Sequence, residues 1–138
     1  MHTETFKETL KKNGHKATNE RLLLFSLLKS QKGPCSISEL VELSRATVDR
    51  STVYRTLDLF EKINVTVRVY SGWNYKVELS DKYSPHHHHM TCENCGAVVA
   101  FHESKALILE LEKVSITHGF KADSHTLELS GRCKNCCY

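Results

Sequence analysis

Two Cys-x-x-Cys pairs, Cys92-Glu93-Asn94-Cys95 and Cys133-Lys134-Asn135-Cys136, stand 37 residues apart near the end of a 138-residue chain. Zinc prefers four thiolates at the corners of a tetrahedron. If both pairs hold one ion, the last part of the chain is tied at its start and at its end. The binding free energy then becomes folding free energy. Cys137 offers an alternative to Cys136, but the two-residue spacing of the first pair favours Cys136. Disulfides are the competing use of six cysteines. Residues 1–13 are polar and charged, without the apolar stretch of a secretory signal, so metal binding and a cytoplasmic setting are expected. No run approaches the length of an apolar membrane span. Cys35, beside the Gly33-Pro34 turn, is expected to be a small buried side chain.

Directly before the first pair runs His86-His87-His88-His89. Pro85 disfavours a helix there, so the run is expected to be extended, with successive side chains on opposite sides. His87 and His89 then share one side, and His86 and His88 the other. The four histidines offer a site borderline in softness and suited to iron, zinc, nickel or manganese. One firmly held metal and one exchangeable metal in a small basic protein suggest a sensor.

The front of the chain carries the positive charge. Residues 1–80 hold 13 Lys/Arg against 9 Asp/Glu, whereas residues 81–138 hold 6 against 7. This favours a polyanionic partner for the front half only, and weakly by itself. Phe6 and Leu10 mark a short amphipathic helix stopped by Asn13-Gly14. Thr18 caps a second helix that is apolar on most sides. Ser36-Ile37-Ser38-Glu39 fits a capping box for a third. A fourth starts near Asp49 and buries Val53, Leu57 and Phe60, which leaves Arg50, Tyr54, Arg55 and Asp58 outward. The alternating run 65–70, a turn at 71–74 and the run 75–79 then form a hairpin. Helices followed by a hairpin predict a winged helix-turn-helix whose fourth helix enters the major groove of DNA.

Behind it, residues 97–101 and 126–130 read as strands flanking a helix from Ser104 to about Thr117. Such a β-α-β unit is too small to be comfortable alone, so a zinc staple and dimerisation are both expected to support it. The predicted fold class is α+β. A winged-helix DNA-binding domain occupies 1–80, a hinge with histidine ligands 81–89, and a small α/β dimerisation and zinc-binding domain 90–138.

Four stretches in the right order resemble the ferric uptake regulator family. These are Gly14-His15-Lys16-Ala17-Thr18 with Arg21; Ser51-Thr52-Val53-Tyr54-Arg55-Thr56-Leu57-Asp58-Leu59-Phe60; the His86–Gly96 block; and His118-Gly119-Phe120. The resemblance implies a dimeric, metal-dependent repressor that binds palindromic operators in double-stranded DNA. It implies base contacts from Tyr54 and Arg55, and a minor-groove or backbone contact from Lys16. Cys92, Cys95, Cys133 and Cys136 match the structural zinc ligands. Glu78, His87 and His89 match a sensory site for a second divalent metal, Fe2+ first, with Zn2+ or Mn2+ as alternatives. His86 and His125 match a further site, in which His88 stands where many members have an aspartate.

Two sensory positions depart from the family pattern. Gly33-Pro34-Cys35 stands where a histidine is usual, and Ala100 where a carboxylate is usual. Cys35, His102 and Glu103 are the candidate substitutes. Glu103 and Glu110 are the nearest candidates for an acidic ligand in the following helix. Peroxide sensing and a zinc-stabilised assembly module are the competing functions. No H-E-x-x-H, nucleophile–base pair or glycine-rich phosphate loop is present, so no enzyme is expected.

Overall fold

Phe6 and Leu10 lie one turn apart on helix α1 (His2–Lys12), and both are fully buried. Phe6 stacks on Phe25 of α2 (Asn19–Ser30) at 4.2 Å between ring centroids and meets Phe60 edge-on at 5.3 Å. Phe60 belongs to α4 (Arg50–Lys62), whose inner stripe is Val53, Thr56, Leu57 and Phe60. Between them α3 (Ile37–Ser44) contributes Leu40 to the same core. The starts of α2, α3 and α4 have the caps that their sequence offers. Thr18 accepts from the Arg21 N–H, Ser36 and Glu39 close a capping box, and Asp49 accepts from the Thr52 N–H. Such caps satisfy N–H groups that the helix itself leaves orphaned.

Strands β1 (Thr66–Ser71) and β2 (Asn74–Leu79) pair antiparallel, from Thr66 against Leu79 to Ser71 against Asn74. The two-residue turn between them is Gly72-Trp73, and Gly72 adopts the φ of +61° that such a turn asks of a glycine. Cys35 adds one rung to this hairpin through reciprocal backbone bonds with Val77 of 2.8 and 2.9 Å. The result is a winged helix.

The computed structural model describes residues 2–137, which divide into two units that meet at Pro85–His86. Residues 81–85, read from the sequence as hinge, belong with the first unit. Tyr83 is buried edge-on against Phe25, and its hydroxyl donates to Thr9 Oγ1 at 2.7 Å. A lone aromatic anchor in a polar stretch leaves no periodic trace.

The second unit is a three-stranded sheet and a helix. Its order is β4 (Val98–Phe101), β3 (His88–Cys92), β5 (Glu128–Gly131), with α5 (Lys105–Thr117) between β4 and β5 in the chain. β3 runs antiparallel to β4 and parallel to β5. The sequence predicts the outer strands and the helix, but it gives His88 and His89 only as an extended hinge. They open the central strand. α5 has no fully buried residue, and Leu109, Val114, Ile116 and Phe120 are exposed. No helix among the described residues is long and apolar enough to cross a membrane.

Candidate metal centres and DNA-contacting face

The sulfurs of Cys92, Cys95, Cys133 and Cys136 lie within 4.8 Å of one another. Cys95 and Cys133 Sγ are 3.7 Å apart. Zinc–sulfur bonds of about 2.3 Å in a tetrahedron put sulfurs about 3.8 Å apart, so the set fits zinc. β3 delivers Cys92, the turn after it Cys95, and the turn that follows β5 the last two. The Cys133 N–H points at Cys92 Sγ at 3.3 Å. That N–H, with those of Cys95 and Asn94, pulls the Cys92 thiol down to about 6. Asn94 pulls on Cys136 as well, but the Cys133 sulfur, burial and the other two sulfurs outweigh it and carry Cys136 up to about 11. Four crowded thiols without a cation cannot all ionise, whereas zinc holds all four as thiolates. Cys137 is exposed, with its Sγ 3.3 Å from the Arg132 carbonyl, and lies outside the set.

A second set joins His86, His88, His125 and Glu103, again with donor atoms within 4.8 Å. His88 Nε2 is 3.0 Å from Glu103 Oε2 and 3.2 Å from His125 Nε2. Glu103 Oε1 is 3.6 Å from His125 Nε2 and 3.8 Å from His86 Nε2. Bonds of about 2.0–2.1 Å around one ion would set such donors about 3.3 Å apart. Glu103 Oε2 is buried without a hydrogen bond, although an imidazole nitrogen is 3.0 Å away. The two atoms are close but not aligned as donor and acceptor, as expected of groups aimed at a shared cation. Burial lowers the His88 pKa despite Glu103, which favours the neutral imidazole that binds metal.

Glu103 precedes α5 rather than lying in it, so spacing within the helix does not reveal it. The other acidic candidate, Glu110, is exposed and paired with Lys113 at 2.6 Å. Glu103 is thus the acidic partner of His86, His88 and His125 rather than a substitute beside His87 and His89.

His87 and His89 stand side by side with ring centroids 4.9 Å apart, as alternation along an extended chain predicts. His102 lies beside them, its ring 6.3 Å from that of His87 and its Nδ1 3.0 Å from the His86 carbonyl. Glu78 is half-buried on β2, opposite Val67. Among the described residues, Cys35 belongs to none of the metal-donor sets. It is buried, its Sγ lies 3.5 Å from the Ser36 carbonyl, and burial together with Glu39 pushes its thiol up to about 12.

On α4, Tyr54 and Arg55 face outward, as the buried stripe on the opposite side requires. The Arg50 guanidinium sits 5.6 Å from the Tyr54 ring, and Arg55 donates to Thr52 Oγ1 at 3.2 Å. Lys16 is exposed in the α1–α2 connection, where its carbonyl accepts from the Arg21 guanidinium at 2.6 Å.

Comparison with known proteins agrees with this architecture. The sequence profile of the Ferric uptake regulator family matches residues 12–130. The Ferric uptake regulation protein of Campylobacter jejuni is 36% identical over 96% of this chain and 87% of its own length. The Peroxide operon regulator of Bacillus subtilis is 30% identical over 94% of this chain and 89% of its own. The structure of the Helicobacter pylori ferric uptake regulator Fur, described as having three functional metal-binding sites, superposes with a TM-score of 0.83. It is 26% identical and covers 98% of this chain and 91% of that one. The chain belongs to the ferric uptake regulator family of metal-responsive transcriptional regulators.

Proposed function

We propose that the protein is a cytoplasmic, metal-gated repressor that binds a palindromic operator as a homodimer. The observation that carries this reading is the combination of an outward Tyr54–Arg55 face on a winged helix with segregated metal-donor sets in the second unit. Cys92, Cys95, Cys133 and Cys136 hold a structural zinc. His87 and His89, with Glu78 of the wing, hold the regulatory divalent metal, Fe2+ first and Zn2+ or Mn2+ as alternatives. His86, His88 and His125, with Glu103, hold a further ion. Tyr54 and Arg55 read bases in the major groove, and Lys16 reaches the minor groove or backbone.

The bound metal supplies a positive centre that ligands from different parts of the chain must meet together. Only a difference in metal affinity between DNA-competent and DNA-incompetent dimers carries a signal. The Helicobacter pylori relative with three metal sites supports three centres. His87→Ala and His89→Ala are expected to weaken metal-dependent DNA binding by about tenfold or more while leaving the fold intact. Cys95→Ser is expected to unfold or dissociate the protein. Identical melting of all three variants would remove the distinction between a regulatory and a structural site.

Likeness to the Peroxide operon regulator favours a second reading, in which iron-catalysed oxidation of a sensory histidine is the stimulus. A gain of one oxygen on His87 or His89 after peroxide treatment of the Fe2+-loaded protein would establish it.

A further inference from the structure

The chain has a single tryptophan, Trp73, and it stands fully exposed in the turn at the tip of the wing. Burying an indole rewards folding more than burying most side chains does, and an exposed one is suited to an interface. Apolar side chains scattered over a surface need no explanation. A tryptophan at the end of a hairpin, with Tyr70 also exposed beside the turn, does need one.

The hairpin that carries Trp73 is braced against α4. Asn64, at a φ of +57°, ends that helix in a Schellman turn. Its N–H donates to the Glu61 carbonyl at 3.1 Å, and the Val65 N–H donates to that of Phe60 at 2.7 Å. The chain thus reverses before β1. Arg68 of β1 returns to Glu61 in the last turn of α4, with Nε 3.0 Å and Nη2 2.8 Å from Oε2. Its guanidinium also lies 4.4 Å from the centroid of the Tyr75 ring, and Tyr75 meets Tyr70 across the hairpin at 5.9 Å. An ion pair, a cation–π contact and a ring pair therefore stiffen the wing up to the rung before its last.

A 13-residue helix such as α4 is about 20 Å long. Strands of six residues span about 20 Å as well. A hairpin folded back beside α4 thus carries its tip towards the level of the α4 N-terminus, the end that meets base edges. Half a turn of duplex, roughly 17 Å, separates a recognition helix in the major groove from the flanking minor groove. Residues 71–74 are Ser-Gly-Trp-Asn, so no carboxylate at the tip repels phosphates. The minor groove is about 6 Å wide, enough for the edge of an indole. The indole N–H is a donor only. A·T pairs present only acceptors in that groove, whereas G·C pairs add an amino group. We propose that Trp73 is a DNA contact of the wing, its indole entering the minor groove beside the α4 site and favouring A·T pairs there. The inference rests on operator binding through α4, and the experiment reads the two separately.

As the single tryptophan, Trp73 reports on itself without a label. Metal-loaded full-length protein is titrated with operator duplex recovered by selection from random sequences. Tryptophan emission, its quenching by acrylamide and the anisotropy of dye-labelled DNA are followed together. Free protein is expected to emit like indole in water, and bound protein to lose most of its acrylamide quenching. Trp73→Ala is expected to bind operator about tenfold more weakly, within the range for one lost base contact. Its melting is expected to be unchanged, because the side chain is fully exposed. No charge is removed, so its salt slope is expected to match the native chain's, unlike that of Lys16→Ala. G·C pairs placed in the flanks are expected to weaken the native chain and leave Trp73→Ala unaffected. Operator binding with unaltered acrylamide quenching, or with Trp73→Ala at native affinity, overturns the wing contact and leaves operator reading by α4 standing. A blue shift that grows with protein concentration in the absence of DNA assigns Trp73 to a contact between copies and overturns it too. Failure to bind any duplex removes both.

Discussion

Tyr54 and Arg55 are neighbours on the outward side of α4 only because Val53, Thr56 and Leu57 are committed to the core. Arg55→Ala should cost about 1–3 kcal/mol in operator affinity and relax discrimination at one base position, the range for a lost bidentate base contact. Lys16→Ala should instead weaken all sequences alike and reduce the salt slope by about one. Titrations at several salt concentrations separate the two behaviours, and equal losses on operator and random DNA for Arg55→Ala would exclude base reading. The cysteines differ as sharply. Burial first, and then Glu39, raises the Cys35 thiol to about 12, so it is neutral at physiological pH and becomes the nucleophilic thiolate only in strong alkali. Cys137 is exposed and outside the metal set. In zinc-loaded protein, alkylation followed by peptide mass spectrometry should modify Cys137 first and Cys35 last. Early labelling of Cys35 would contradict its placement.

At the scale of elements, whatever depends on periodicity and caps was legible. Phe6 with Leu10, the Ser36–Glu39 box, the α4 stripe and the alternating wing strands all mark themselves in the sequence. Phe6→Ala should destabilise the first unit by about 3–5 kcal/mol, since its ring is fully buried between Phe25 and Phe60. Chemical denaturation measures this, and a loss under about 1 kcal/mol would mean that the stack is not the centre of that core. β3 was not legible as a strand. Its buried positions are a histidine and a cysteine, Met90 between them on the same face is exposed, and no apolar alternation distinguishes it. Its pairing is set by long-range bonds to β4 and β5, which local sequence does not encode. Glu103 was hard to assign for a related reason. Its role follows from where the β4–α5 connection turns, not from its spacing to any ligand. The four cysteines and the alternating histidines, by contrast, declared themselves because ligand chemistry and extended geometry both constrain spacing.

For the whole molecule, the first unit closes its own aromatic core, whereas the second leaves Leu109, Val114, Ile116, Phe120 and Leu129 exposed in a single chain. Such an apolar surface fits association with a second copy, and two-fold pairing would present two copies of α4 to a palindrome. In the proposed mechanism the regulatory metal and DNA prefer the same dimer. Linkage then demands reciprocity: if metal raises DNA affinity by some factor, DNA must raise metal affinity by the same factor. The decisive measurement is anaerobic Fe2+ affinity of the full-length dimer, with and without operator DNA recovered by selection from random duplexes. DNA affinity is measured with and without Fe2+ in parallel. The account predicts equal factors, both above about fivefold, and their collapse toward unity in His87→Ala. An Fe2+ affinity unchanged by operator DNA would contradict metal gating.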